Sequence, residues 1–457
     1  MAGEVSWNNL PSVILNEVFS YLSHNDKVRA SSTCKNWRFA LSHPRCWRNV
    51  HFVIKPSDKS NDIARTRYLV DCAARKLHNA SVTFDSMDLV CVQETSNVVE
   101  SLSENANLRR LFFKPSNCSL VCPGEQDDWP KYIERHFGIP LISAVRKSHH
   151  LEMLSLGCLE ELVSSHAKAI LENIVQKHAS SITVLGLASI KDYPDNYFIT
   201  DLNVNLLKPL KQLQILSLDY CHVNDNLLYI LSEACTLTRL VVHVHGIMEE
   251  HPGTSEVAWS TLTRNLPNCE LRLTLIHSYD GVDVLHSKIL KRAMPLTHLK
   301  VFFCEKLNVE AVHQLSFYSE TLRSIWWVDS MSCRGNSTLL QELDTVNPFI
   351  MCCWRCHNLE ELVFLGHKYQ FLDVYAVIRL RGATLRHLCL AAADIAFHHH
   401  QQCVSQLLED LEQDITNCLK KPWTSLVEPQ LHPVIWNSDA GDSDEFVLPI
   451  VLQDIEP

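Results

Sequence analysis

The residues best equipped for covalent or metal chemistry stand together late in the chain, at Cys353-Trp354-Arg355-Cys356-His357. A Cys-x-x-Cys-His run is the spacing of a c-type haem attachment site. The same groups can ligate zinc, but a structural zinc takes four ligands, and no second Cys or His pair stands at zinc-finger spacing. Haem attachment also demands export. The opening MAGEVSWNNLPS instead carries Glu4 and polar residues where a secretory leader is apolar. His398-His399-His400 is a run rather than a ligand set, because adjacent residues on a helix point in different directions. The nucleotide, zinc-protease and serine-hydrolase signatures GxxxxGK(S/T), HExxH and GxSxG do not occur. The expectation is a chain with no catalytic residues, no metal and no cofactor.

Composition narrows the class further. With 18 cysteines scattered through 457 residues and no leader, the thiols read as reduced, small buried groups of a cytoplasmic or nuclear protein. A net charge of −11 argues against a body that tracks nucleic-acid phosphates. No apolar run of 18 residues occurs, so no membrane span is expected.

What remains is a chain built to bind, and its first fifty residues carry the clearest signal. In LPSVILNEVFSYL the apolar positions Leu10, Ile14, Leu15, Val18, Phe19 and Leu22 form one broad helical stripe. Pro11 suits the first helical position, where its missing N–H costs nothing. Asp26 is placed as the N-cap of a second helix, and a third holds Cys34, Trp37 and Leu41 until Pro44 stops it. So small a bundle cannot bury that much apolar surface by itself. The excess either packs on the rest of the chain or docks a partner. A helix-turn-helix DNA reader is the rival, but the third helix offers Trp, Phe and Leu where base-reading Arg, Asn and Gln would stand.

This segment resembles the F-box motif. The resemblance rests on Leu10-Pro11, Ile14-Leu15, Phe19-Ser20-Tyr21-Leu22, Asp26, Cys34-Lys35-Asn36-Trp37-Arg38 and Pro44-Arg45-Cys46-Trp47-Arg48. Val13 and Val28 depart from it, standing where Glu and Leu are usual. The resemblance implies a three-helix module that binds a Skp-type adaptor and, through it, a cullin and a RING subunit. The adaptor contacts it implies are Leu10, Pro11, Ile14, Leu15, Val18, Leu22, Cys34 and Trp37. An aliphatic stripe ending in a tryptophan is suitable material for a dry interface core.

The body repeats an L-x-x-L-x-L pattern. It recurs at Leu108-Leu111-Phe113, Leu151-Leu154-Leu156, Ile182-Leu185-Leu187, Leu213-Leu216-Leu218 and Leu237-Leu240-Val242. A degenerate copy at Leu271-Leu273-Leu275 follows, then Leu296-Leu299-Val301, Leu322-Ile325-Trp327, Leu359-Leu362-Phe364 and Leu385-Leu388-Leu390. Helical patterns lie between them, among them His166–His178, Asn226–Ala234, Leu285–Met294 and Val309–Leu322. A strand and a helix repeated in this way bury their faces only by stacking. The expected fold class is therefore an α/β repeat: an N-terminal three-helix F-box followed by an irregular leucine-rich-repeat horseshoe, parallel sheet inside and helices outside. An ordinary α/β sheet with leucine-rich strands remains the alternative, because the spacing is uneven.

The expected map is 1–50 as the F-box, 51–107 as a linking cap or degenerate repeat, 108–420 as the substrate-binding body, and 421–457 as an acidic, disordered tail. Disorder is expected there because NSDAGDSDEF carries four acids and no base. Long insertions at 114–140 and 329–348 interrupt the repeats. Candidate substrate contacts are Trp326, Trp327 and Trp129, and no particular substrate is legible. The functional expectation is the substrate-recognition subunit of a Skp–cullin–F-box ubiquitin ligase. Its alternative is an F-box scaffold that recruits no cullin.

Overall fold

A computed structural model describes residues 7–41, 43–56, 61–125, 128–194, 202–234, 236–248, 250–332, 347–397 and 404–457. The chain forms two compact units, Met1–Val184 and Leu185–Pro457.

The first unit opens with three short helices, α1 (Ser12–Ser20), α2 (His24–Ser31) and α3 (Lys35–Leu41). Leu15, Phe19, Ala40, Leu41, Cys46 and Trp47 make their buried centre. The cap of α2 is Ser23, not Asp26. The Ser23 hydroxyl accepts from Asp26 N at 3.2 Å and donates to the Asp26 carboxylate at 2.7 Å, so Asp26 completes the first turn.

Four parallel strands follow: β1 (Asn49–Ile54), β2 (Asn79–Phe84), β3 (Arg110–Pro115) and β4 (Met153–Ser155). Val50, Ala80, Leu111 and Leu154 stand level across them. The connections are α4 (Asn61–Ala73), α5 (Leu89–Ser103) and the succession α6 (Trp129–Ile133), a π turn (Glu134–Gly138) and α7 (Ile139–Lys147); α8 (Glu160–His178) follows β4. Segment 51–107 is thus two strand–helix repeats rather than a separate cap. Likewise α6 and α7 make much of the 114–140 insertion the helical half of a repeat. Between repeats, buried polar side chains close the turns. Asn105 donates to Ala74 O and Leu77 O at 2.9 and 2.8 Å, and Ser181 donates to Leu151 O at 2.7 Å.

A short strand, β5 (Val184–Gly186), straddles the division between the units. The second unit continues with β6 (Ile215–Asp219), α9 (Asp225–Ser232), β7 (Arg239–Val244), α10 (Glu256–Asn265), β8 (Glu270–Ile276) and α11 (Tyr279–Asp283). Then come β9 (Leu296–Phe302), α12 (Val309–Leu315), β10 (Ser324–Val328), α13 (Pro348–Arg355) and β11 (Glu361–Leu365). It closes with β12 (Tyr369–Gln370), α14 (Phe371–Arg381), β13 (His387–Leu390), β14 (Ile395–Ala396), α15 (Val404–Leu419), α16 (Pro433–Trp436) and α17 (Ser443–Gln453). Strands β6 to β11 and then β13 pair in parallel in chain order, and β12 pairs with β14.

Each L-x-x-L-x-L triad has its middle position on one of these strands and its other positions on or just beside it, all of them buried. Leu218, Val242, Leu273, Leu299, Ile325, Leu362 and Leu388 form one level row of the core. Helix expectations held less uniformly. Leu285–Met294 yields only a π turn over Leu285–Ile289.

The disordered tail is overturned. Asp442 accepts from Asp444 N at 2.9 Å and opens α17, whose Val447, Leu448, Val451 and Leu452 are buried. The acids of the tail crowd the first turn of a helix, where the helix dipole favours them, and an apolar run follows immediately.

Candidate functional site

Two surfaces merit description, one in each unit. In the first, helix periodicity splits the implied adaptor contacts. Leu15 and Phe19, four apart on α1, point inward and are fully buried. Leu15 therefore supports the module from within and offers nothing to a partner, a correction to its expected role. Pro11, Ile14 and Val18 fall with Tyr21 on another face at spacings of three and four. Pro11 is exposed, Ile14 is 49% exposed, and Val18, Leu10 and Leu22 are half-buried. Val13 is also outward-facing.

Helix α3 fixes where that face begins. Asn36 Nδ2 donates to Asn8 O at 3.1 Å and Leu10 O at 2.9 Å, and Trp37 Nε1 donates to Trp7 O at 3.0 Å. The Trp37 ring meets Phe19 edge-on at 5.8 Å. Half-buried Trp37 is thus held from below while it pins the segment entering α1, and Cys34, also half-buried, immediately precedes α3. Asn36 was not singled out from sequence, and only its place inside the Cys-Lys-x-Trp-Arg run hinted at this clamp. Large apolar side chains left exposed here also include Trp7, Tyr21, Val28 and Phe39. Monomer surfaces rarely leave so much apolar area together without a partner.

The second surface is the sheet face opposite the leucine rows of unit two. Alternation places Ser217, Val241, Arg272, His298, Ser324, Glu361 and His387 in one level row. Asp219, His243, Thr274, Lys300, Trp326, Val363 and Cys389 form the next. Trp326 lies on this open face, half-buried, stacked on His387 at 5.8 Å and donating to Glu361 Oε2 at 3.2 Å. Trp327 points the other way. It is fully buried, with Nε1 donating to Lys306 O at 3.2 Å, so it is core rather than contact. Trp129 belongs to the first unit, half-buried at the start of α6.

The tail lies across the open face. Asp454 accepts from Arg272 Nη1 at 2.8 Å and Lys300 Nζ at 2.7 Å, and Phe446 meets Phe302 and Phe303 edge-on at 6.0 and 6.2 Å. Burial alone would raise the Asp454 carboxyl, but Lys300 and Arg272 outweigh it and hold the group below the ordinary aspartate range. Burial and the charge of Arg272 push the His298 imidazole down to about 4, so it is neutral at physiological pH.

Asp219, His243 and His245 bring three side chains of metal-ligating type within 4.8 Å of one another, all buried. Their present chemistry is a hydrogen-bond network. Ser189 donates to Asp219 through N at 2.9 Å and Oγ at 2.7 Å, both rings sit 3.0 Å from Ser189 O, and Lys191 Nζ is 3.8 Å from Asp219 Oδ2. The lysine supplies the positive charge that an ion would bring. At the haem-like run, Cys353 on α13 and Cys356 at its C-cap are buried, and Arg381 Nη2 lies 2.7 Å from His357 Nδ1. The described cysteines are free thiols. The histidine run at 398–400 lies outside the described residues. Among the described residues, no helix is long and apolar enough to cross a membrane.

Residues 7–53 match the F-box-like family model, and the first unit opens with an F-box-like domain. Two kinds of relative extend over most of the chain. Human F-box only protein 33 is 20% identical over 92% of this chain and 83% of its own length. Bovine F-box/LRR-repeat protein 21 is 21% identical over 85% of this chain and 83% of its own. Among solved structures, an internalin from Listeria monocytogenes aligns over 80% of this chain and 95% of its own, with 12% identity and a TM-score of 0.33.

Proposed function

We propose that this chain is the substrate-recognition subunit of a Skp–cullin–F-box ubiquitin ligase, acting in the cytoplasm, the nucleus or both. The observation that carries this reading is the F-box-like domain with its apolar face open. Leu10, Pro11, Ile14, Val18 and Leu22 on and flanking α1, with Cys34 and Trp37 at and just before α3, are the groups we assign to a Skp-type adaptor. The adaptor brings the cullin and RING subunit, and the repeat body holds a protein substrate. Such a subunit needs no active site of its own. It raises the effective concentration of substrate lysines at the charged conjugating enzyme.

Reconstitution tests this. The purified chain, adaptor, cullin and RING subunit should ubiquitinate a bound substrate, and each omission should abolish the product. Product from the chain and conjugating enzyme alone would overturn the non-catalytic reading. Adaptor binding without cullin would favour the scaffold.

A further inference from the structure

On the open face of unit two, which also carries Asp219 and Glu361, three cations stand close together. In a protein of net charge −11, Arg239, Arg272 and Lys300 stand on the adjacent strands β7, β8 and β9. Glu270 offsets part of this, 3.3 Å from Arg272 Nη2 and 3.8 Å from Arg239 Nε. The rest is met by the chain's own end. Asp454 takes the ion pairs of Arg272 and Lys300, and Arg239 Nη1 donates to Asp454 O at 3.0 Å and Glu456 O at 2.8 Å. Eight residues earlier, Phe446 fills the aromatic ground of Phe302 and Phe303. Phe446, Ile450 and Asp454 recur every four residues, on one helical face.

This is a built site for a carboxylate presented at the end of a helix. Three cations, two of them paired directly with the acid, lie within reach of an aromatic platform. A buried ion pair is a weak device for stability alone, because desolvating the charges offsets their attraction; its best-attested value is specifying one register. The fit of the occupant is also incomplete. A cleft of about 130 Å³ remains between Val434, Ser438, Gly441 and Ser443 of the tail and His277, Phe303, Glu305 and Asp329, which follow β8, β9 and β10.

We propose that this face is the recognition site for an acidic helical segment of a partner protein, an aromatic residue set two turns before an aspartate, and that the C-terminal segment occupies it in cis. This rests on the substrate-receptor reading and names the class of segment received. An incoming segment must displace a tethered competitor, so only a protein offering the same carboxylate and aromatic ring, or a high local concentration of them, gains entry.

The test uses the full chain bound to its adaptor and a fluorescent peptide of residues 441–457. The wild type should bind the peptide weakly, because the site is filled. Phe446→Ala/Asp454→Ala should release the tail and bind the peptide at least tenfold more tightly, and adding Lys300→Glu should abolish that gain. A second measurement guards against a released variant that misfolds. Excess isotopically heavy peptide added to the wild type should accelerate hydrogen exchange at Val447–Gln453 of the chain. No gain in a folded released variant together with unchanged exchange in the wild type would overturn the proposal. Adaptor co-purification of the same proteins reports the F-box reading separately, so either can fail alone.

Discussion

Ile14 and Leu15 are neighbours with opposite duties. Leu15 is fully buried inside the three-helix module, so Leu15→Ala should cost about 2–5 kcal/mol of its stability, read as a lower urea midpoint. Ile14 is half exposed, so Ile14→Asp should leave that midpoint nearly unchanged and abolish adaptor binding in a pull-down. On β9 of the second unit, His298 makes a pH prediction. Its folded value of about 4 lies below the ordinary 6.5, so the native state refuses a proton that the unfolded chain accepts. The stability this gives is complete above pH 6.5 and is lost as pH falls toward 4, on the order of 3 kcal/mol in all. Urea unfolding between pH 7.5 and 4.5 should show the decline, and His298→Gln should flatten it. An unchanged slope in that variant would place the proton uptake elsewhere.

At the scale of elements, the strands were legible and the tail was not, for different physical reasons. A leucine triad marks a strand because its last two positions share the buried face of the strand and its first position is buried beside it. Helices between strands are less constrained, which is why Leu285–Met294 reads as helical yet supplies only a π turn. The tail misled because local composition outweighed pattern. Its acids suggested solvation, yet Asp442 caps α17 and Asp454 is paired with cations 182 and 154 residues away in sequence. Such partners lie outside any local window. The open-face row through Arg272 and Lys300 is visible once the strands are aligned in register, but nothing local says that an aspartate from the same chain fills it. Asp454→Ala should therefore be costly, about 3–5 kcal/mol, because it leaves two part-buried cations without their acid. Chemical denaturation monitored at Trp326 would read this loss. A backbone constraint belongs here too. Gly366 sits at φ +85°, and a Cβ there would meet Asp329 O at 2.2 Å, so Gly366→Ala should destabilise unit two by more than about 1 kcal/mol.

At the scale of the whole molecule, an F-box-like domain opens the first unit and a parallel repeat sheet makes up the second. The most direct measurement is co-purification of the tagged full chain with a Skp-type adaptor and a cullin, compared with Leu10→Ala/Pro11→Ala and with Ile14→Asp. The account predicts that the wild type retains both partners and that both variants lose them while keeping the wild-type melting curve. A wild type that captures neither partner, or variants that capture both, would contradict it.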